Sequence, residues 1–164
     1  MMQRMASAAP PMRLGAENAL QSLYRDSSKA HANQSALAGM ILAGWRWDAL
    51  GMKIEFTKEI NNFYRDAFLN QTDAHRVDED LWEITGINAR LEDLRDATTR
   101  LEQLYREAYI QEYGSYWLDN VLVRYDDLAR LFQQKIVAVR QVRRQYDTTK
   151  TLPQPEQLGF YLQP

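Results

Sequence analysis

The chain has 164 residues, 45% of them hydrophobic and 26% charged, with a net charge of -2. That length suits one domain with a substantial core, and the near-neutral balance gives no electrostatic footprint for nucleic acid or an anionic membrane as partner. The lack of cysteine excludes disulfides, thiolate catalysis and cysteine metal sites. His31 and His75 lie too far apart in sequence to suggest a histidine metal centre.

Residues 1–15 hold Pro10, Pro11 and Gly15, which predicts an unstructured leader. This opening lacks the sustained apolar core of a signal peptide. From Ala16 to about His31, Leu20, Leu23, Tyr24 and Ala30 recur at near-helical spacing, with Glu17 near the favourable N-terminal end. The polar stretch 32–35 is a break, and Ser35 is a candidate N-cap for the next helix.

Residues 36–70 predict one kinked helix or two consecutive ones. Met40, Ala43, Trp47, Leu50, Ile54 and Tyr64 share a face, and Phe56, Ile60, Phe63 and Phe68 widen the stripe. Gly39, Gly44 and Gly51 each cost about 1 kcal/mol in a helix interior relative to alanine, so they mark either a break or the close approach of a neighbour. The longest apolar run, residues 36–45, is too short and too interrupted by glycine to span a bilayer. Residues 71–82 turn polar and are predicted to be a connection, anchored by a short turn at 81–84.

The clearest periodicity lies in residues 87–108. Ile87, Leu91, Leu94, Thr98, Leu101, Tyr105 and Ala108 form a heptad-like seam, which predicts a long helix stopped by Gly114. The final helix spans about Trp117 to Tyr146, with Leu118, Val121, Tyr125, Leu128, Phe132, Lys135, Val139, Val142 and Tyr146 along one face, the lysine snorkelling. Arg140, Arg143 and Arg144 cluster near its end, where cations oppose the helix dipole. The tail 148–164, with Pro153, Pro155 and Pro164, is predicted to be extended, with Leu158, Phe160, Tyr161 and Leu162 able to fold back. The whole predicts an all-α fold: an antiparallel bundle of about four long helices over 16–147, with extended termini.

Little of this points to chemistry. Phosphate-binding glycine loops, HExxH, nucleophile elbows and EF-hand loops are all missing from the sequence. The acidic neighbours Asp126-Asp127, Glu92-Asp93 and Asp78-Glu79-Asp80 point in different directions on a helix, so solvated faces explain them better than acid/base pairs. Glu55, Glu59, Asp66, Glu102 and Asp126 lack the Glu-x-x-His partners of a di-iron bundle. Neither catalytic residues, a metal nor a cofactor is expected. The sequons at Asn33 and Asn70 are short motifs that arise by chance.

Tyr116–Asp126 is the most informative stretch. Leu118, Val121, Leu122 and Tyr125 suit the core, and Ser115 or Asp119 suits a cap. Tyr116, Trp117, Asn120, Arg124 and Asp126 remain as candidate sugar or interface contacts, because aromatic faces stack on sugars while amide, guanidinium and carboxylate groups direct hydrogen bonds. The competing reading has Trp117 plugging the bundle end and Arg124 paired with Asp119 or Asp127.

Three stretches, Trp45-Arg46-Trp47-Asp48-Ala49-Leu50-Gly51-Met52-Lys53, residues 91–101 and Tyr116–Asp126, resemble the helical C-terminal region of bacterial family 20 glycoside hydrolases, the β-N-acetylhexosaminidases and their relatives. The resemblance covers roughly residues 16–147. It implies a non-catalytic accessory domain that packs beside a catalytic (β/α)8 barrel and contacts an N-acetylhexosamine ligand, in a periplasmic or extracellular parent enzyme. The family's catalytic Asp-Glu pair has no counterpart in this chain. Where those relatives carry proline before the Tyr-Trp pair, this chain has Gly114-Ser115. The alternative is a stand-alone module that pairs with another protein chain through the 87–108 seam.

Overall fold

The computed structural model describes residues 2–29 and 31–160. Within them the fold is all-α, with five α-helices and no strand: α1 (Met2–Ser27), α2 (Gln34–Leu69), α3 (Ala74–Thr85), α4 (Arg90–Tyr113) and α5 (Leu118–Thr149), followed by the 3₁₀ turn Pro155–Leu158. Four of these helices are long, as expected. No helix among the described residues is long and apolar enough to cross a membrane. The chain divides into two compact units, Met1–Glu55 with Asp96–Ala129, and Phe56–Arg95 with Arg130–Pro164.

In the first unit α1 lies antiparallel to α2. Leu20 packs on Gly44, Ala9 and Met12 meet Gly51, and the Trp45 indole N–H donates to the Tyr24 hydroxyl at 2.9 Å. Arg13 bonds Asp48 at 3.1 Å and Glu55 at 2.9 Å. Gly44, Asp48, Gly51 and Glu55 follow a 4, 3, 4 spacing, so α1 runs along a single ridge of α2. Two of the three glycines therefore mark close approach rather than a break, and α2 is one continuous helix of 36 residues. Asn33, at φ 58°, stands before its first turn and its carbonyl accepts from the Leu37 N–H. Ser35, the candidate cap, lies one residue inside the helix.

This ridge explains two departures from expectation. Residues 2–15 belong to α1 rather than to a leader, although Pro10 and Pro11 lie inside it and remove two backbone donors. Both prolines are exposed, whereas Ala9, Ala16 and Leu20 are buried, so packing on the glycine ridge outweighs the lost hydrogen bonds. Along α2, the N-terminal part of the predicted core stripe is uncovered, with Met40, Ala43, Trp47 and Leu50 exposed because α1 occupies the neighbouring ridge, whereas Ile60 and Tyr64 further along are buried as expected.

The second unit holds most of the large buried side chains, among them Tyr64, Val77, Leu81, Ile84, Ile136 and Val139. The predicted connection is largely the helix α3, capped by the Asp73 carboxylate accepting from the Arg76 N–H at 3.1 Å. Its inward face is Val77, Leu81 and Ile84. Leu91 and Leu94 of the seam are buried, while Ile87 lies outside α4 and is 75% exposed. Glu92 pairs with Arg140 and Arg95 with Gln133, which sets α4 and α5 antiparallel here.

The tail folds back in an ordered path. The Gln71 side chain accepts from the Leu152 N–H at 2.6 Å, Gln71's carbonyl accepts from the Tyr146 hydroxyl, and the Tyr64 hydroxyl donates to the Pro153 carbonyl. Phe160 is buried with its ring 4.9 Å from Tyr64. The Lys135 ammonium bonds the Leu158 carbonyl and sits over the Phe160 ring, a snorkelling cation with a defined acceptor. The expected contributions of Ala30, Tyr161 and Leu162 lie outside the described residues.

Candidate functional site: the aromatic turn between α4 and α5

The turn between α4 and α5 belongs to the first unit and gathers aromatic rings from both helices. Tyr105, Tyr109 and Tyr113 recur every four residues and so share one face of α4. Their ring centroids are 5.7 Å apart for Tyr105 and Tyr109, and 5.1 Å for Tyr109 and Tyr113. Tyr125 of α5 joins at 5.9 Å from Tyr105, and the Arg46 guanidinium lies 5.8 Å over the Tyr105 ring. Glu112, through its hydrogen bond and then its charge, holds the Tyr113 hydroxyl above the usual phenol range.

Gly114 ends α4 in the left-handed conformation at φ 69°, its N–H donating to the Ile110 carbonyl. Trp117 also takes a positive φ, 63°, a region that bulky L-residues rarely enter. Tyr116 is 78% and Trp117 63% exposed, with ring centroids 6.0 Å apart. Leu118 and Leu122, which follow in the first turns of α5, are buried. The turn thus anchors its aliphatic residues and turns its aromatic ones outward.

The candidate contacts are therefore all accessible, and Trp117 does not plug the bundle. Asn120 and Arg124 are exposed and one turn apart on α5, so they share a face. Asp126 is exposed too, but lies about 200° around the helix from Arg124. The five residues accordingly form no single constellation: the Tyr116–Trp117 pair and the Asn120–Arg124 strip are separate from Asp126. The α4 tyrosines extend the aromatic surface. Only their i, i+4, i+8 spacing announced them, and in the sequence that spacing merges with the seam containing Tyr105.

Elsewhere several carboxylates are matched by arginines. Glu59 and Glu83 hold Arg90, Glu55 and Asp48 hold Arg13, Glu102 pairs with Arg106, and Asp66 lies 3.5 Å from Arg65. His75 is exposed and 3.3 Å from Glu79. No group of three potential metal ligands occurs among the described residues. The arginine cluster of α5 ties helices together: Arg140 donates to the Thr85 carbonyl and to Glu92, and Arg143 to Asp78. No family model, curated protein or solved structure matches the chain.

Proposed function

We propose that the chain is a non-catalytic helical accessory domain of a carbohydrate-active enzyme, of the β-N-acetylhexosaminidase kind. In this reading it presents the aromatic turn between α4 and α5 to amino sugars. The observation that carries the reading is Trp117, held outward beside Tyr116 in a backbone conformation that costs about 1–3 kcal/mol. A strained, exposed indole next to a second exposed ring suits stacking on a sugar face, with Asn120 and Arg124 available for hydroxyl and acetamido groups.

The uncovered face of α2 supports the accessory role. Met40, Ala43, Trp47 and Leu50 are exposed within an arc of about 80°, and Trp47 is 57% exposed. A contiguous apolar stripe of this kind suits packing on a neighbouring protein domain such as a catalytic barrel. The alternative of pairing through the 87–108 seam has less exposed surface behind it: Leu91, Leu94 and Thr98 are buried within the chain, and only Ile87 of the seam is exposed.

Calorimetric titration with chitobiose and longer N-acetylglucosamine oligomers tests the sugar contact. Saturable heat is expected, and Trp117→Ala should abolish it while the helical circular dichroism stays unchanged. Absence of heat at about 10 mM ligand would overturn the reading.

A further inference from the structure

The second unit contains a cleft of about 380 Å³ between the end of α3 and the C-terminal part of α5, within the roughly 300–1,000 Å³ of small-ligand sites. Its wall is the Trp82 indole. A Cβ on Gly86 would stand 2.6 Å from that ring, so only glycine permits this close backbone approach. The Arg143 guanidinium lies 5.1 Å over the same ring and is itself held by Asp78 at 2.6 Å. The indole is thus clamped by its surroundings yet remains 46% exposed, and Ile87 beside it is 75% exposed.

The charges sort by commitment. Arg140 is engaged by the Thr85 carbonyl and Glu92, and Arg143 by Asp78. Arg144 also lines the cleft, is exposed, and forms no ion pair among the described residues. Asp147, one turn on, lines it too, and its charge disfavours a ligand with two negative charges. We propose that this cleft binds a small monoanion carrying a flat apolar face, with the anion on Arg144 and the flat face against Trp82 and Ile87. Aromatic carboxylates and acidic sugars share that chemistry, since a ring or a pyranose face stacks on indole and a carboxylate takes the guanidinium fork.

The test tracks the Trp82 indole N–H resonance of the full chain, assigned with Trp82→Phe, during titration with phenylacetate, phenylacetamide and glucuronate. Saturable shifts with either acid are expected. Phenylacetate identifies an aromatic ligand class and glucuronate a sugar one. The amide should bind about tenfold more weakly than phenylacetate, and Arg144→Gln should weaken the acid about tenfold with the spectrum otherwise unchanged. The proposal is overturned by equal binding of the amide, by unaltered affinity in Arg144→Gln, or by no shift from either acid up to about 50 mM.

Discussion

The Tyr109 hydroxyl donates a 2.8 Å hydrogen bond to the Tyr116 carbonyl seven residues later, closing the turn that carries the exposed Tyr116–Trp117 pair. A side chain on the last turns of α4 thereby fixes the backbone just before the strained residue. Tyr109→Phe keeps the ring in the tyrosine stack and removes only this bond, so it should lower stability by about 0.5–1 kcal/mol. The Tyr105 hydroxyl donates no hydrogen bond among the described residues, so Tyr105→Phe is the control and should be near neutral. Denaturant midpoints of the two variants compare them directly. Equal losses would show that the hydroxyl bond does not hold the turn.

Trp117 offers a separate test of strain. Glycine adopts φ near 63° without the steric penalty of a side chain, and most of Trp117, 63%, is exposed. Trp117→Gly should therefore raise stability by about 1 kcal/mol, whereas Trp117→Ala keeps a Cβ in the left-handed region and should gain less. A thermal melt in which glycine is the less stable of the two would mean that the indole contributes packing that outweighs the strain.

The same physics decides what the sequence discloses. The seam residues Leu91, Leu94 and Thr98 are legible because helical period alone puts them on one buried face. Helix α3 is hidden by its charged composition, although Asp73 as cap and Val77, Leu81 and Ile84 at 4 and 3 spacing carry the signal. Residues 2–15 are misjudged because Pro10-Pro11 breaks the local pattern, while the glycine ridge of α2 that receives Ala9 lies some forty residues away in the chain. Which face of α2 is covered depends on that same long-range choice, so Trp47 belongs to the predicted core stripe and is exposed. For the site, the Tyr116–Trp117 pair is visible locally, and its separation from Asp126 follows from the helix predicted over about Trp117–Tyr146, which the structure places at Leu118–Thr149. What the sequence hides is the outward turn of both rings.

The glycines of α2 make the ridge argument quantitative. An added Cβ at Gly51 would come within 2.5 Å of the Arg13 side chain and 3.3 Å of the Ala9 carbonyl oxygen, whereas Gly39 has nothing within 4 Å. Gly39→Ala should stabilise the helix by up to about 1 kcal/mol through propensity alone. Gly51→Ala gains the same propensity but must displace α1, and should be destabilising by about 1–3 kcal/mol. Opposite signs in equilibrium unfolding support the ridge. A stabilising Gly51→Ala would show that α1 does not pack on it.

Asp80 of α3 supplies a pH-dependent prediction. Its Oδ2 is buried and has no hydrogen-bond partner. Burial first, and then the negative charge of Asp66, push its carboxyl up from 3.8 to about 6, against the opposing charge of Arg76 and with smaller contributions from Glu79 and Glu83. Because the folded state holds this proton more tightly than the unfolded chain, stability from this group is full below about pH 4 and falls as pH rises towards about 6. Asp80→Asn removes the charge while keeping the shape. With allowance for solvent screening of a partly exposed carboxyl, it should stabilise the protein by about 1 kcal/mol at neutral pH and change little below about pH 4. Denaturant unfolding of both proteins at the two pH values measures the difference, and an equal gain at both would mean that packing rather than ionisation governs this site.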